Sequence, residues 1–332
     1  MNNPMENQSS FERIMNRLVG PFATIFTLHR PDPGNGAYNG ASEDLLKKCL
    51  DYANKKNYQF MSVDKLVDDS LNFRSPDQPI ICFTLDDGYS DQATRLLPTL
   101  IDYGTSPNLF VITDFIDQQM WPWDAKLTYL IWKTSLSSCN VSIGAHKLTL
   151  DLSTKEKRII TRRKINKLIK TLPHAQLLEA IDIISSACQL TLPNEIPNDF
   201  KSITWQELRD LESKGVRIGS HTKSHIVFNS SSGALITHEL EQSYLKLKTE
   251  LSDPSSVFCY PLGSHNDFSS HHIALIKEAG YKSAVSTISN ITNPTQIRKN
   301  PFQIQRIAFP NNFDTFVRYT SWREAVRSKL PF

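Results

Sequence analysis

Two short clusters in this sequence bring together the residue types that metal-assisted hydrolysis requires. The first is Thr84-Leu85-Asp86-Asp87-Gly88, at the end of the apolar run Pro79 to Leu85. Adjacent carboxylates leaving such a run are costly, because like charges a few ångströms apart in a low-dielectric surrounding repel. A cation between or beside them removes that cost. Successive residues point in different directions, so one Asp can ligate a metal while its neighbour faces a bound water. Gly88 permits a tight exit turn. The competing reading is an Asp-Asp-Gly surface turn, which the preceding apolar run disfavours. The second cluster is Gly219-Ser220-His221-Thr222-Lys223-Ser224-His225. Two imidazoles four residues apart lie on the same side of a helical turn and can both reach one cation. Zn²⁺ favours such nitrogen and carboxylate donors, with a fourth position open to water. Either cluster alone arises by chance; two His and an Asp at the ends of buried strands form a more specific signal.

The segments that must position these clusters alternate between short buried strands and helices. Strands are expected at Phe22 to Leu28, Pro79 to Leu85, Asn108 to Ile112, Val216 to Gly219, Val257 to Tyr260 and Lys282 to Ser286. Helices are expected from Glu43 to Lys55 behind the N-cap Ser42, and from Asp91 to Tyr103 before Gly104. Further helices are expected at Thr204 to Lys214, opened by a Thr-x-x-Glu capping box, at His238 to Leu251 and at His271 to Ala279. This alternation indicates a parallel α/β architecture, either a barrel or an open doubly wound sheet. In both, reactive groups collect at the carboxyl ends of the strands.

One stretch, from about 120 to about 200, breaks the rhythm. It starts with Trp121, Trp123 and Trp132, passes a hairpin around Val141 to Leu152, and continues as a helical tract. At 155–170 that tract carries Lys155, Lys157, Arg158, Arg162, Arg163, Lys164, Lys167 and Lys170, interleaved with an apolar stripe. A solvated basic face over a packed stripe is one reading; weak contact with an anionic membrane surface or a polyanionic substrate is the other. The whole chain, 1–332, is read as a single catalytic domain, with a core at about 20–120 and 200–318 and the insertion between.

Composition narrows the classes. The 332 residues carry 37 Lys and Arg against 34 Asp and Glu, a formal charge of +3, which gives no reason to expect a nucleic-acid partner. Hydrophobic residues at 39% suffice for a core. The five cysteines, at 49, 82, 139, 188 and 259, form no C-x-x-C pair and suggest no disulfide framework. No secretory leader and no apolar run long enough for a transmembrane helix are visible, so a cytoplasmic location is expected. The sequence contains no nucleophile elbow, P-loop or H-E-x-x-H, and the glycines from Gly34 to Gly40 have the wrong spacing for a dinucleotide fingerprint.

FTLDDGYSD (Phe83 to Asp91) and GSHTKSH (Gly219 to His225) resemble the first two motifs of the polysaccharide deacetylases, the NodB-homology enzymes of carbohydrate esterase family 4. Phe258-Cys259-Tyr260-Pro261-Leu262-Gly263 resembles their third motif in a Tyr-Pro-x-Gly form. Similarities at His29-Arg30, Trp121-Pro122-Trp123-Asp124 and Gln305-Arg306-Ile307 extend the likeness from about residue 20 to about 318. The resemblance implies a distorted (β/α) barrel with a helical insertion. It implies metal-dependent removal of an N-acetyl group from an amino sugar of a glycan or glycan precursor, with Zn²⁺ as the metal. Asp87, His221 and His225 would hold the metal, and Asp86 would be the general base. Tyr260, Pro261 and Leu262 would meet the substrate, with the backbone N–H of Leu262 facing the developing oxyanion. Removal of an O-acetyl or formyl group by the same mechanism, or carbohydrate binding without turnover, are the alternatives.

This chain departs from the family pattern at two places. The third motif often opens with an Arg that orients the catalytic Asp, where this chain has Cys259. Arg306, in the apolar segment IQRIAF, is the expected replacement. The late Leu-x-x-His motif that supplies the general acid is not evident, and His29, at a strand end, is the first choice for that role ahead of His265. Trp121, Trp123 and Tyr260 could stack on sugar rings, although Trp in an insertion also reads as core.

Overall fold

A computed structural model describes residues 10–74 and 78–328. The strands are β1 (Ala23–Leu28), β2 (Gln59–Phe60), β3 (Ile80–Asp87), β4 (Asn108–Val111), β5 (Ser138–Ile143), β6 (His146–Asp151), β7 (Arg217–Ser220), β8 (Val257–Cys259), β9 (Ser283–Val285) and β10 (Ile307–Ala308). All but β5 and β6 join one parallel sheet in the order β10-β1-β3-β4-β7-β8-β9, with β2 on the first residues of β3. The sheet curls into a distorted (β/α) barrel. Its last gap is spanned by a single short segment: Ile304 bridges Val285 of β9, while Ile307 and Ala308 pair with Phe26 and Thr27 of β1.

Every residue of β1 and β3 is buried, as a parallel sheet covered on both faces demands. The two-residue period sorts the side chains. Ile81, Phe83 and Leu85 of β3 pack outward with Leu46, Leu97 and Leu100 of the surrounding helices. Ile80 and Cys82 face inward with Ile25, Phe110, Val257 and Val285. The same period places Thr84 and Asp86 on the inner side, at the carboxyl mouth of the barrel.

The strand that carries the carboxylates runs two residues past the expected end, so Asp86 and Asp87 close β3 rather than follow it. The helix Glu43–Lys55 is capped by Ser42, whose Oγ accepts from Leu45 N–H, and the box at Thr204 and Glu207 opens the helix Trp205–Ser213. Two helices differ from expectation. The one after β3 begins as a π turn, Gln92–Leu96, before the α-helical Leu97–Asp102. The one after β7 spans Gly233–Glu250, five residues longer at its start, because Ser232 caps it and Gly233 occupies its first position. The stretch from about 120 to 200 forms the helices Trp123–Lys133, Lys155–Ile169 and His174–Ala187 with the antiparallel hairpin β5-β6. These enclose a separate cluster around Leu127, Ile131, Val141, Ile165 and Ile181.

The basic helix is not a single solvated face. Arg158 turns inward and donates to the carbonyls of Ile131, Thr134 and Leu136, and Arg163 donates to the Asn39 side chain. Of its apolar stripe, Ile165 and Ile169 are buried in the insertion's core. Lys155, Lys157, Lys164 and Lys167 stay exposed as a solvated basic face, the plainer of the two readings. No helix among the described residues is long and apolar enough to cross a membrane.

Candidate active site and metal centre

Asp86 and Asp87 are neighbours in sequence with opposite surroundings. Asp86, on the inner face of β3, is clamped by Arg306 from the segment that closes the barrel. Nη1 donates to Oδ1 at 2.7 Å and Nη2 to Oδ2 at 2.9 Å, a bidentate fork. The guanidinium also donates to Ser286 O and to Thr84 Oγ1, both at 3.0 Å, and lies 3.2 Å from the Cys259 sulfur. Burial alone would raise the Asp86 carboxyl; Arg306, with a smaller contribution from His221, outweighs it and holds the group well below the usual carboxylate range. Arg306, only 1% exposed, is where the sequence placed the replacement cation. Cys259, occupying the position of the family's Arg, contributes a thiol 3.5 Å from Asp86 Oδ1. Burial pushes that thiol up, so it stays protonated and donates.

Asp87 leaves the strand at φ +83°, and Gly88 follows at +93°. A Cβ at Gly88 would come within 2.9 Å of the Ile116 side chain, so both space and conformation require glycine there. The turn aims Asp87 Oδ1 at two imidazoles, 3.6 Å from His221 Nε2 and 3.7 Å from His225 Nε2. All three side chains are buried, and their donor atoms lie within 4.8 Å of one another.

These residues fit a divalent cation. Bonds of about 2.0–2.1 Å in a tetrahedral arrangement separate donor atoms by roughly 3.3 Å, close to the spacing found. His221 Nδ1 lies 2.9 Å from the Cys259 carbonyl, which can only accept, so Nδ1 carries the proton and Nε2 presents its lone pair to Asp87. Burial lowers the His221 imidazole to about 3 and lowers His225 as well, leaving both neutral ligands at pH 7. Burial, reinforced by Asp124 and Asp86, raises Asp87 well above the usual carboxylate range. A buried carboxylate without a cationic partner, facing two neutral imidazoles, is a donor set that a cation completes.

The two imidazoles do not share a helical turn, contrary to the i, i+4 expectation. Residues 221–225 form a loop in which Thr222 (φ +69°) and His225 (φ +60°) adopt left-handed conformations. Thr222 Oγ1 accepts from His225 N–H at 2.9 Å. The buried Glu239 accepts from the N–H groups of Lys223 and Ser224 at 2.9 and 2.7 Å, and from Ser224 Oγ at 2.7 Å. Lys223 Nζ is paired with Asp114 at 2.7 Å. Among the described residues, four of the eight non-glycine residues with positive φ (Asp87, Thr222, His225 and Leu262) belong to this site. The backbone strain is thus concentrated at the strand ends.

The cluster opens into a cleft of about 280 Å³ lined also by His29, Tyr38, Asp124, Arg162, Leu262 and Thr287. His29 is exposed at its rim; its carbonyl and that of Asp86 both accept from the Gln92 side chain, which ties β1 to β3 from within the π turn. Leu262 reaches the cleft at φ +62°. Tyr260 is a correction: its ring stacks on Phe268 at 4.0 Å, its hydroxyl donates to Phe302 O at 3.0 Å, and it is only 1% exposed, so it meets no substrate. Pro261 is likewise buried outside the lining. Trp121 and Trp123 are core residues, and His265 lines a separate cavity with Gln296 and Asn300. Four lining or bracing features were missed in the sequence: Asp124, Arg162, Glu239 and the Arg30–Asp91 pair (2.6 Å), whose guanidinium lies over Tyr38 and Tyr89. Their signals were the basic run at 155–170, the Asp of WPWD, and Arg30 and Asp91 inside the segments similar to the family.

Fold and site together define a (β/α)-barrel hydrolase. The model of the polysaccharide deacetylase family matches residues 74–284, and the chain belongs to that family of carbohydrate esterases, which hydrolyse N-acetyl amide bonds. No curated protein matches the chain. Among solved structures, the Streptococcus pyogenes deacetylase PplD in complex with acetate superposes with a TM-score of 0.59 at 15% identity, covering 94% of this chain and 100% of that one. IcaB from Ammonifex degensii gives 0.56 at 12% identity, covering 92% and 98%, and the BpsB deacetylase domain from Bordetella bronchiseptica gives 0.51 at 15%, covering 86% and 95%. At these identities the likeness establishes the shared fold.

Proposed function

We propose that this deacetylase is metal-dependent, that its metal is Zn²⁺, and that it hydrolyses an N-acetyl group on an amino sugar of a glycan or glycan precursor. One observation carries the reading. A metal-competent trio, Asp87, His221 and His225, stands beside a second carboxylate, Asp86, whose charge is already balanced by Arg306. Bound there, the metal would polarise the acyl carbonyl and acidify the attacking water.

The protein's own groups divide the remaining work. Asp86, kept ionised by Arg306, takes the proton at its carboxylate as water attacks. Arg306 orients both oxygens of Asp86 through its fork. The Leu262 N–H, without a hydrogen-bond partner among the described residues, donates to the carbonyl oxygen as negative charge develops. His29, at the rim, delivers a proton to the departing amine. His221 Nδ1 and the Glu239-braced loop keep the imidazoles aimed.

Acetate release tests the reading, using metal-stripped and Zn²⁺-reloaded protein on N-acetylglucosamine oligomers and on acetylated xylan. Zn²⁺-dependent release from the amino-sugar oligomers is expected. Release from xylan alone would move the activity to O-esters; equal release with and without metal would overturn the metal assignment.

A further inference from the structure

Most of the cations around this cleft have partners. Arg306 is paired with Asp86, Arg30 with Asp91, Lys223 with Asp114, and on the basic helix Lys157 with Asp151 and Lys170 with Asp267. Arg162 is the exception among the arginines that line it. It enters the cleft half-buried from the helix Lys155–Ile169. Its one hydrogen bond among the described residues is a long contact, 3.5 Å, from Nη1 to Thr128 Oγ1. Its Nε is buried with no partner. Asp124, also on the lining, has a buried Oδ1 without a partner, yet no ion pair joins the two. The guanidinium lines the cleft while partly stripped of water, and burial lowers its pKa. A desolvated guanidinium with an unused donor is costly unless a ligand supplies the acceptor.

Resting on the deacetylase reading, we propose that Arg162 is a specificity-determining residue that recognises an anionic substituent, a carboxylate or a phosphate, on the acetylated sugar. Planar bidentate contact with either group is the chemistry for which Arg is suited. Three neighbours frame that contact. Thr128, one helical turn after Asp124 on the insertion helix Trp123–Lys133, holds Nη1 from one side. Neighbouring Arg163 fixes the loop residue Asn39 at 3.2 Å across the mouth. Asp124 lines the same cleft and acts electrostatically on both Arg162 and Asp87. The insertion would then select among substrates while the barrel performs the hydrolysis.

The test measures kcat and KM of Zn²⁺-loaded wild type, Arg162→Gln and Arg162→Lys on three probes: N-acetylglucosamine oligomers, N-acetylmuramic acid-containing glycan oligomers and N-acetylglucosamine 6-phosphate. Calorimetric binding of the deacetylated products, muramic acid and glucosamine 6-phosphate, runs in parallel and needs no turnover. Wild type is expected to favour an anionic probe, and whichever one it favours identifies the group as carboxylate or phosphate. Arg162→Gln should cut that preference, measured as the ratio of kcat/KM values, by about 10- to 100-fold through KM rather than kcat. Product binding should weaken in step, and Arg162→Lys should restore part of both. Equal loss on all three probes would make Arg162 a structural partner of Asp124 and overturn the proposal. So would a wild type that prefers the neutral oligomer and binds neither acidic product. If no probe is deacetylated but an acidic product binds through Arg162, the deacetylase reading fails while this one stands.

Discussion

The two walls of the cleft hold their acidic residues by opposite means. On the wall built from β3 and the closing segment 304–308, Asp86 is neutralised within the protein by a guanidinium that is itself fully buried. On the wall that meets the β7 loop, Asp87 faces two imidazoles that burial keeps neutral, with no Arg or Lys in ion-pair contact among the described residues. Adjacent residues of one type thus acquire different chemistry from their surroundings. The first carboxylate is kept charged by its guanidinium, and in the proposed mechanism it accepts the proton. The second is left short of one positive partner, which in the proposed mechanism a divalent cation would supply. Strain follows the same division: Asp87, Thr222 and His225 all have left-handed backbones, whereas Asp86 sits within regular strand.

The sharpest way to break this comparison is to remove the charge of Asp86 alone. Asp86→Asn keeps the side-chain volume and is expected to lower kcat by about 10²- to 10⁴-fold, the range of a lost general base. A normal rate in a steady-state assay would dissolve the division. Removing the counter-charge is expected to act less on rate and more on folding. Arg306→Ala should lower kcat tens-fold with metal content intact and destabilise the fold by about 3–5 kcal/mol in urea titration, because Asp86 is left buried and unpaired. Unchanged turnover would reduce Arg306 to a structural strut.

The smallest effect concerns the metal wall and appears as a pH slope. In metal-free protein burial lowers both imidazoles, His221 to about 3, so below about pH 6.5 the unfolded chain binds more protons at them than the folded chain does. Their folded pKa values are depressed, so they cost stability as pH falls from about 6.5. Asp87 works the other way: its folded pKa is raised, so it binds one proton in the folded state that the unfolded chain has lost. Two depressed imidazoles outweigh one raised carboxylate, so stability should fall on acidification below about pH 6.5, towards the His221 value of about 3. Asp87→Asn removes the opposing contribution and should steepen the slope. A flat profile for metal-free wild type would contradict the neutral-imidazole picture.

Much of this was legible in the sequence, and the part that was not has a physical reason. Apolar runs ending in Asp86 and Ser220 mark parallel strands, and strand ends are where such folds gather reactive groups. The absence of an Arg at Cys259 predicted a cation elsewhere, and the pairing of 307–308 with β1 brings Arg306 to Asp86. The loop 221–225 was misread as a helical turn because its conformation is set by Glu239, distant in sequence and reaching in from another helix. Tyr260 was misread because motif likeness gives position along the chain but not the side of the strand on which a ring packs. Arg162 and Asp124 stood in segments that the sequence singled out, WPWD and the basic run, but their place on the cleft is decided by how the insertion packs and leaves no periodic signature.

The most direct test of the two-wall account is metal stoichiometry, by elemental analysis of wild type, Asp86→Asn and Asp87→Ala purified side by side. The account expects about one zinc per chain in wild type and in Asp86→Asn, and almost none in Asp87→Ala. Zinc retained by Asp87→Ala, or lost from Asp86→Asn, would contradict it.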